Sequence, residues 1–227
     1  MLKELEKELG RRGFSQEVRK SIHNAKICIV DDQIEHLKSF MDGLRKEGFT
    51  NLTEKAHVES VNELLESGYE LIILDLKGVA DEISAEDGIG IVDTLKQSDP
   101  ALPILIVSGT STTPDKARIL SKADLIRSKP VLPADLASDV EDILKTRKDP
   151  YWSAVTVLKE LQRIQPDIAH NLGYVDRLKL WWLQRTIVSD IKKCDKGVIS
   201  KVIKVASIVE KLGSLAIRIH AISNGIS

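Results

Sequence analysis

Apolar residues fall along this chain in two alternating rhythms. Continuous runs occupy 27–30 (ICIV), 71–74 (LIIL) and 104–107 (ILIV), each bounded by polar residues. Unbroken runs of that length, rich in β-branched side chains, predict strands buried on both faces of a parallel sheet. Weaker strands fit 51–55 and 124–127. Between them the spacing widens to the helical period. Residues 34–47 carry Leu37, Phe40, Met41 and Leu44 before a stop at Gly48, and amphipathic stretches fill 58–67, 88–97, 114–122 and 133–146. Five strands alternating with five helices predict an α/β domain built on a doubly wound five-stranded parallel sheet.

The flanks follow the helical period alone. Residues 2–22 predict an N-terminal helix, with Leu2, Leu5, Leu9, Val18 and Ile22 in loose register around a weak point at Gly10 and Gly13. After residue 148 there is no convincing strand, so a C-terminal all-α helical domain is expected. Asp149-Pro150 is an N-cap followed by proline at the first helical position, opening a helix to about Ile164 that Pro166 ends. A second helix is predicted over 174–193 and a third over 198–223. In the last, Val198, Val202, Val205, Val209, Leu212, Ala216 and Ile219 alternate four and three apart as a heptad seam. Ile199, Ile203, Ala206 and Ile217 widen that seam, which points to a helical bundle, within one chain or across a dimer. The expected organisation is an N-terminal extension at 1–25, an α/β domain at 26–148 and a helical domain at 149–227.

Composition sharpens the boundary. Residues 151–227 carry 12 Lys/Arg against 6 Asp/Glu, whereas the first 150 carry 21 against 28, and all three tryptophans (Trp152, Trp181, Trp182) lie in the later part. No apolar run approaches the roughly 18 residues of a membrane span, and MLKELEKELGRRGF is too charged for a secretory leader. A cytoplasmic protein without membrane attachment is therefore expected. Cys28 lies inside the first strand and Cys194 near a helix end, without the spacing of a metal site or a disulfide framework.

The candidate chemistry sits where the strands stop. The first ends in Asp31-Asp32 (KICIVDDQ) and the third in Asp75 (YELIILDLKG). Open α/β sheets build their sites at such ends. Three carboxylates gathered there repel, so the site needs protons or a cation, and a hard divalent ion with oxygen ligands such as Mg²⁺ answers that need. Ser108-Gly109 ends the fourth strand and Lys129-Pro130 the fifth.

With these four features in order, residues 26–147 resemble the receiver domain of two-component response regulators, a flavodoxin-like fold. The resemblance implies that Asp75 is the phosphorylated nucleophile, accepting a phosphoryl group from a cognate histidine kinase or phosphotransfer protein. It implies a Mg²⁺ ion ligated by Asp32 and Asp75, by Asp31 largely through water, and by the backbone carbonyl of Lys77. It assigns Lys129 to the phosphoryl oxygens, Ser108 to a hydrogen bond with the phosphate, and a cis geometry to the Lys129-Pro130 bond. No enzymatic activity beyond Mg²⁺-dependent self-phosphorylation and self-dephosphorylation is implied. A receiver kept only as a protein-binding scaffold is the rival reading. A Mg²⁺-dependent phosphatase would want a second aspartate two residues after Asp75, where Lys77 stands.

Two departures from the family pattern stand out. LKGVADEISAEDG is longer by about five residues than the family's turn, although Asp87-Gly88 matches its end. Its acids Asp81, Glu82 and Glu86 read either as a solvated loop over 79–86 or as a lid on the site. Ile126 occupies the place of the family's switching aromatic, so output by an aromatic rotamer flip is not expected. For the C-terminal helices three readings compete: an interaction and homodimerisation module, DNA binding through Lys192, Lys193, Lys196, Lys201 and Lys204, and phosphotransfer at His170. The first is favoured by the seam; nucleic-acid binding is less favoured, because Lys179 falls where a helix-turn-helix wants an apolar residue.

Overall fold

The apolar runs pair side by side as parallel strands. β1 (Ile27–Val30), β2 (Leu52–Lys55), β3 (Leu71–Leu74), β4 (Ile104–Ser108) and β5 (Leu125–Ser128) form one sheet in the order β2-β1-β3-β4-β5. This is a computed structural model, and it describes residues 1–80, 83, 84, 86–109, 114–216, 219, 220, 222 and 223. Contacts divide the chain into two units, Lys20–Leu144 and Met1–Arg19 together with Lys145–Ser227.

In the first unit the strands alternate with α3 (Ile34–Lys46), α4 (Val61–Glu66), α5 (Gly88–Ser98), α6 (Pro114–Leu120) and the start of α7 (Pro133–Lys148). β1, β3 and β4 are wholly buried, as the continuous runs require. Their even-numbered side chains, Cys28, Val30, Ile72, Leu74, Ile104 and Ile106, join one cluster with Leu64 of α4, Val92 and Leu95 of α5 and Leu120 of α6. α3 packs on β1 and β2 with Leu37, Phe40, Met41 and Leu44 buried. Its Gly43 lies so near α7 that a Cβ would come within 2.3 Å of the Pro133 Cβ. The outer strands β2 and β5 are partly exposed, and their polar residues blunt the free edges of the sheet.

The second unit is helical: α1 (Leu2–Arg12), α8 (Pro150–Arg163), α9 (Gln165–Asn171), α10 (Tyr174–Lys193) and α11 (Val198–Val209), followed by a 3₁₀ segment, Glu210–Ala216. Leu5 and Leu9 of α1 enter the same core as Val155, Leu158 and Leu161 of α8 and Leu183, Ile187 and Ile191 of α10. Arg12 donates to the carbonyls of Ile191 and Lys192, at 2.9 Å each. A guanidinium there satisfies free carbonyls and complements the negative end of α10.

Two helical expectations need correction. The N-terminal helix is two helices, α1 and α2 (Gln16–His23), because Gly13 adopts a left-handed φ of 67°. As expected, α8 ends before Pro166, at Arg163, and Pro166 then lies in the first turn of a further helix, α9, where its missing N–H is not needed. The 198–223 helix stops at Val209, and Gly213, at φ 58°, kinks the 3₁₀ segment behind it. The seam residues Val198, Val202, Val205, Val209 and Ile219 are buried in the core of their own chain. Ile217, counted in the wider face, lies outside the described residues.

Asp149 caps α8 as expected, its Oδ1 accepting from Tyr151 N at 2.8 Å and Trp152 N at 3.0 Å. It is only 7% exposed; burial raises its pKa and the two N–H bonds oppose that rise. Removing the cap in Asp149→Ala should destabilise the helical unit by about 1 kcal/mol in denaturant titrations. Because the folded carboxyl holds its proton more tightly than the unfolded one, stability falls as pH rises from the ordinary aspartate value through the raised folded value. Asp149→Asn retains a cap acceptor and should flatten that acid-range slope.

Candidate functional site

The strand order reverses between β1 and β3, and this switch point is where the acids meet. Val30 pairs with Leu74, so Asp31 and Asp75 leave the sheet side by side, with Asp75 N donating to Val30 O at 2.9 Å. Asp31 is 2% exposed and Asp75 5%, whereas Asp32 is open to solvent. One carboxylate oxygen from each of the three lies within 4.8 Å of the others.

Lys129 stands just beyond β5, and its backbone N donates to the carbonyl of Ser108 at 3.1 Å. Its ammonium reaches Asp31 Oδ2 at 2.7 Å, Asp75 Oδ2 at 2.5 Å and His36 Nδ1 at 3.2 Å. Burial works against the charged lysine, but the bonds to Asp31 and Asp75 outweigh it and hold its pKa above the ordinary value. The remaining oxygens are also engaged. Asp31 Oδ1 accepts from Gln33 N at 3.0 Å, and Asp75 Oδ1 from Leu76 N at 2.6 Å.

The structure thus brings Asp31, Asp32, Asp75 and Lys129 together. Ser108 ends β4 and is buried. Lys77 is exposed, two residues past Asp75. The Lys129–Pro130 bond is cis. Ile126 is 46% exposed on β5. Cys28 takes no part; burial pushes its thiol up to about 11, which leaves it unreactive. Cys194 ends α10 in a left-handed conformation, and His170 is exposed on α9.

The inserted stretch is anchored to the domain at its start. Val79 and Ala80 are buried. The Asp87 carboxylate accepts from the backbone N–H groups of Gly78, Val79 and Ala80, at 2.5, 3.1 and 2.8 Å. Val58 N donates to Val79 O at 2.7 Å, and His57 Nδ1 lies 3.0 Å from Gly78 O. Gly78 has φ 74° and backs directly onto the acid site, since a Cβ there would come within 2.5 Å of Asp32 Oδ2. Glu86 is exposed, and Asp81 and Glu82 lie outside the described residues.

Sequence reasoning passed over His36, Gly78 and the clasping role of Asp87. Gly78 stood in plain view within LKG. His36 was signalled only by its position one turn into the helix that follows the acid pair.

A five-stranded parallel sheet with an acid cluster and a lysine at its switch point defines a receiver-type domain. The family model for the response regulator receiver domain matches residues 27–141, and the chain belongs to that family. The transcriptional regulatory protein PrrA of Mycobacterium tuberculosis is 28% identical over 127 residues, 56% of this chain and 52% of its own length. A putative NtrX-like response regulator of Rickettsia felis is 30% identical over 86 residues, 38% of this chain and 18% of its own. The chain therefore spans about half the length of the mycobacterial relatives it matches. Among solved structures, a receiver domain protein from Methanospirillum hungatei is 23% identical, with a TM-score of 0.44, covering 54% of this chain and 94% of its own. The receiver domain of Francisella response regulator 1452 is 22% identical, with a TM-score of 0.46, covering 56% and 100%.

Replacing Lys129 with Ala leaves Asp31 and Asp75 buried without their shared cation. In chelator this should cost on the order of 3 kcal/mol of unfolding free energy. The lysine pKa is raised, so its contribution is complete below the ordinary value of about 10.4 and fades only as pH climbs through the higher folded value. The gap between wild type and variant should accordingly be flat across neutral pH and narrow in strong alkali.

Proposed function

We propose that this protein is a two-component response regulator phosphorylated on Asp75 and signalling through its C-terminal helical unit. The observation that carries this reading is the Lys129 ammonium shared by Asp31 and Asp75, with the open Asp32 carboxylate beside them. A scaffold released from phosphorylation chemistry has no need to keep two buried carboxylates around one lysine.

In this reading Asp75 attacks the phosphorus of a phosphohistidine or a small acyl phosphate. An O–P bond forms, and the P–N or P–O bond to the donor breaks, its electron pair leaving with the donor. Phosphoryl transfer is mostly positioning and charge neutralisation. The three hard-oxygen carboxylates fit Mg²⁺; Asp32, Asp75 and the Lys77 carbonyl would hold it, and Asp31 would act largely through water. When bound, the ion neutralises the charge of the incoming phosphoryl group. Lys129 supplies a second positive charge to the phosphoryl oxygens, and the Ser108 hydroxyl a hydrogen bond. The left-handed Gly78, pinned by Asp87, leaves room for the Asp32 carboxylate.

The donor is a histidine kinase or phosphotransfer protein, and the cytoplasm is the compartment this implies; among the described residues no helix is long and apolar enough to cross a membrane. A homodimer through the helices loses its first motive, because the heptad seam is used within one chain. DNA binding rests on the basic charge of residues 151–227 alone, since the transcriptional role named for PrrA belongs to a protein this chain matches over only half its length.

Intact-protein mass after incubation with Mg²⁺ and acetyl phosphate tests the reading. Wild type should gain one phosphoryl adduct, lost in Asp75→Asn and in chelator. No adduct on wild type would leave the domain a scaffold. Gly78→Ala should weaken Mg²⁺ binding about tenfold, roughly 1.4 kcal/mol, because the new methyl displaces the Asp32 carboxylate, as followed by Mg²⁺ titration of adduct formation.

A further inference from the structure

α10 is apolar on two faces. Leu180, Leu183, Ile187 and Ile191 enter the core, while Leu178, Trp181 and Trp182 face solvent at 51%, 52% and 57% exposure. Tyr174 and Val175 extend the exposed stripe by a turn. α11 lies alongside α10, and between them runs a groove of about 610 Å³, lined by Leu178, Trp181, Trp182 and Ile208 with a lysine on each wall, Lys179 from α10 and Lys204 from α11. Large exposed apolar patches on soluble proteins mark interaction sites. We infer that this groove binds an acidic amphipathic helix of a partner protein.

Charge selects that occupant. Among the described residues no carboxylate lies within salt-bridge distance of Lys179, Lys204 or Arg185, whereas the neighbouring acids are already taken: Asp176 pairs with Lys211 and Asp190 with Lys201. Cations on both walls of an apolar groove fit a helix with large aliphatic or aromatic anchors along one face and carboxylates on both flanks. A second copy fits poorly, because a two-fold contact through this groove would bring the lysines of both copies into one interface. Nucleic acid also fits poorly. Arg185 already stacks on Trp181, 4.6 Å from the ring centroid, and two lysines neutralise few phosphates. The inference deepens the reading of the helical unit as the output element and rests on it for its place in signalling, although the binding itself does not need Asp75.

The test uses the full chain and a fluorescein-labelled helical peptide with Leu at i, i+3, i+4 and i+7 and Glu elsewhere. Anisotropy should give a Kd of about 10 μM, weakening with salt, with a blue shift of tryptophan emission. Trp182→Ala should weaken binding about tenfold, and the exposed side chain leaves the fold intact by circular dichroism. The double charge reversal Lys179→Glu/Lys204→Glu should transfer binding to the same peptide carrying Lys in place of Glu. Equal binding of both peptides by wild type would overturn the proposal. So would indifference to Trp182→Ala, tighter binding of oligo-dT or anionic vesicles, or dimerisation through the groove in sedimentation. Adduct formation on Asp75 is measured on the same samples, so a failure of the groove is distinguished from a failure of the phosphorylation reading.

Discussion

Two carboxylates buried at neighbouring strand ends repel one another, and in this protein the Lys129 ammonium makes that arrangement tolerable. The parallel register of β1 and β3 leaves Asp31 and Asp75 no choice but to emerge together. Lys129 arrives from β5, two strands beyond β3, and spends its three N–H groups on Asp31, Asp75 and His36. Charge so balanced can be redistributed when another cation or an anionic group enters. A site held by packing alone could not respond in that way.

The stretch after β3 has a comparable logic. It is longer than the family's usual turn, and one side chain collects the backbone at its start. The carboxylate of Asp87 takes three consecutive N–H groups, and Val79 fills the core beneath. This keeps Gly78 against Asp32.

In the helical unit, the face that resembles a dimer seam is the face the chain uses for itself, and the face left open is one that periodicity did not single out. α10 satisfies its own core with every third or fourth residue and still presents two tryptophans to solvent. The positive charge of residues 151–227 therefore has a local meaning at the groove, where lysines flank an apolar surface.

Much of this could be read from the chain. Continuous apolar runs of four or five residues bounded by polar turns read as strands buried on both faces, so β1, β3 and β4 were legible, as were the acids that end the first two and the cap at Asp149. Backbone breaks were less so. Gly13 reads only as a weak point and Gly213 not at all, because a positive φ is something glycine permits but does not announce, and a proline reads alike whether it ends one helix or begins the next. Periodicity marks which face of a helix is apolar and is silent about what covers it; that choice between self and partner was made by packing. The contacts among Lys129, His36 and Asp31, and among Asp87 and residues 78–80, join groups whose separation along the chain carries no regular signal. Local sequence thus determined the elements and the charges at their ends, while tertiary structure decided which of those charges meet, because only the strand order and the turns between strands set the distances on which electrostatics depends.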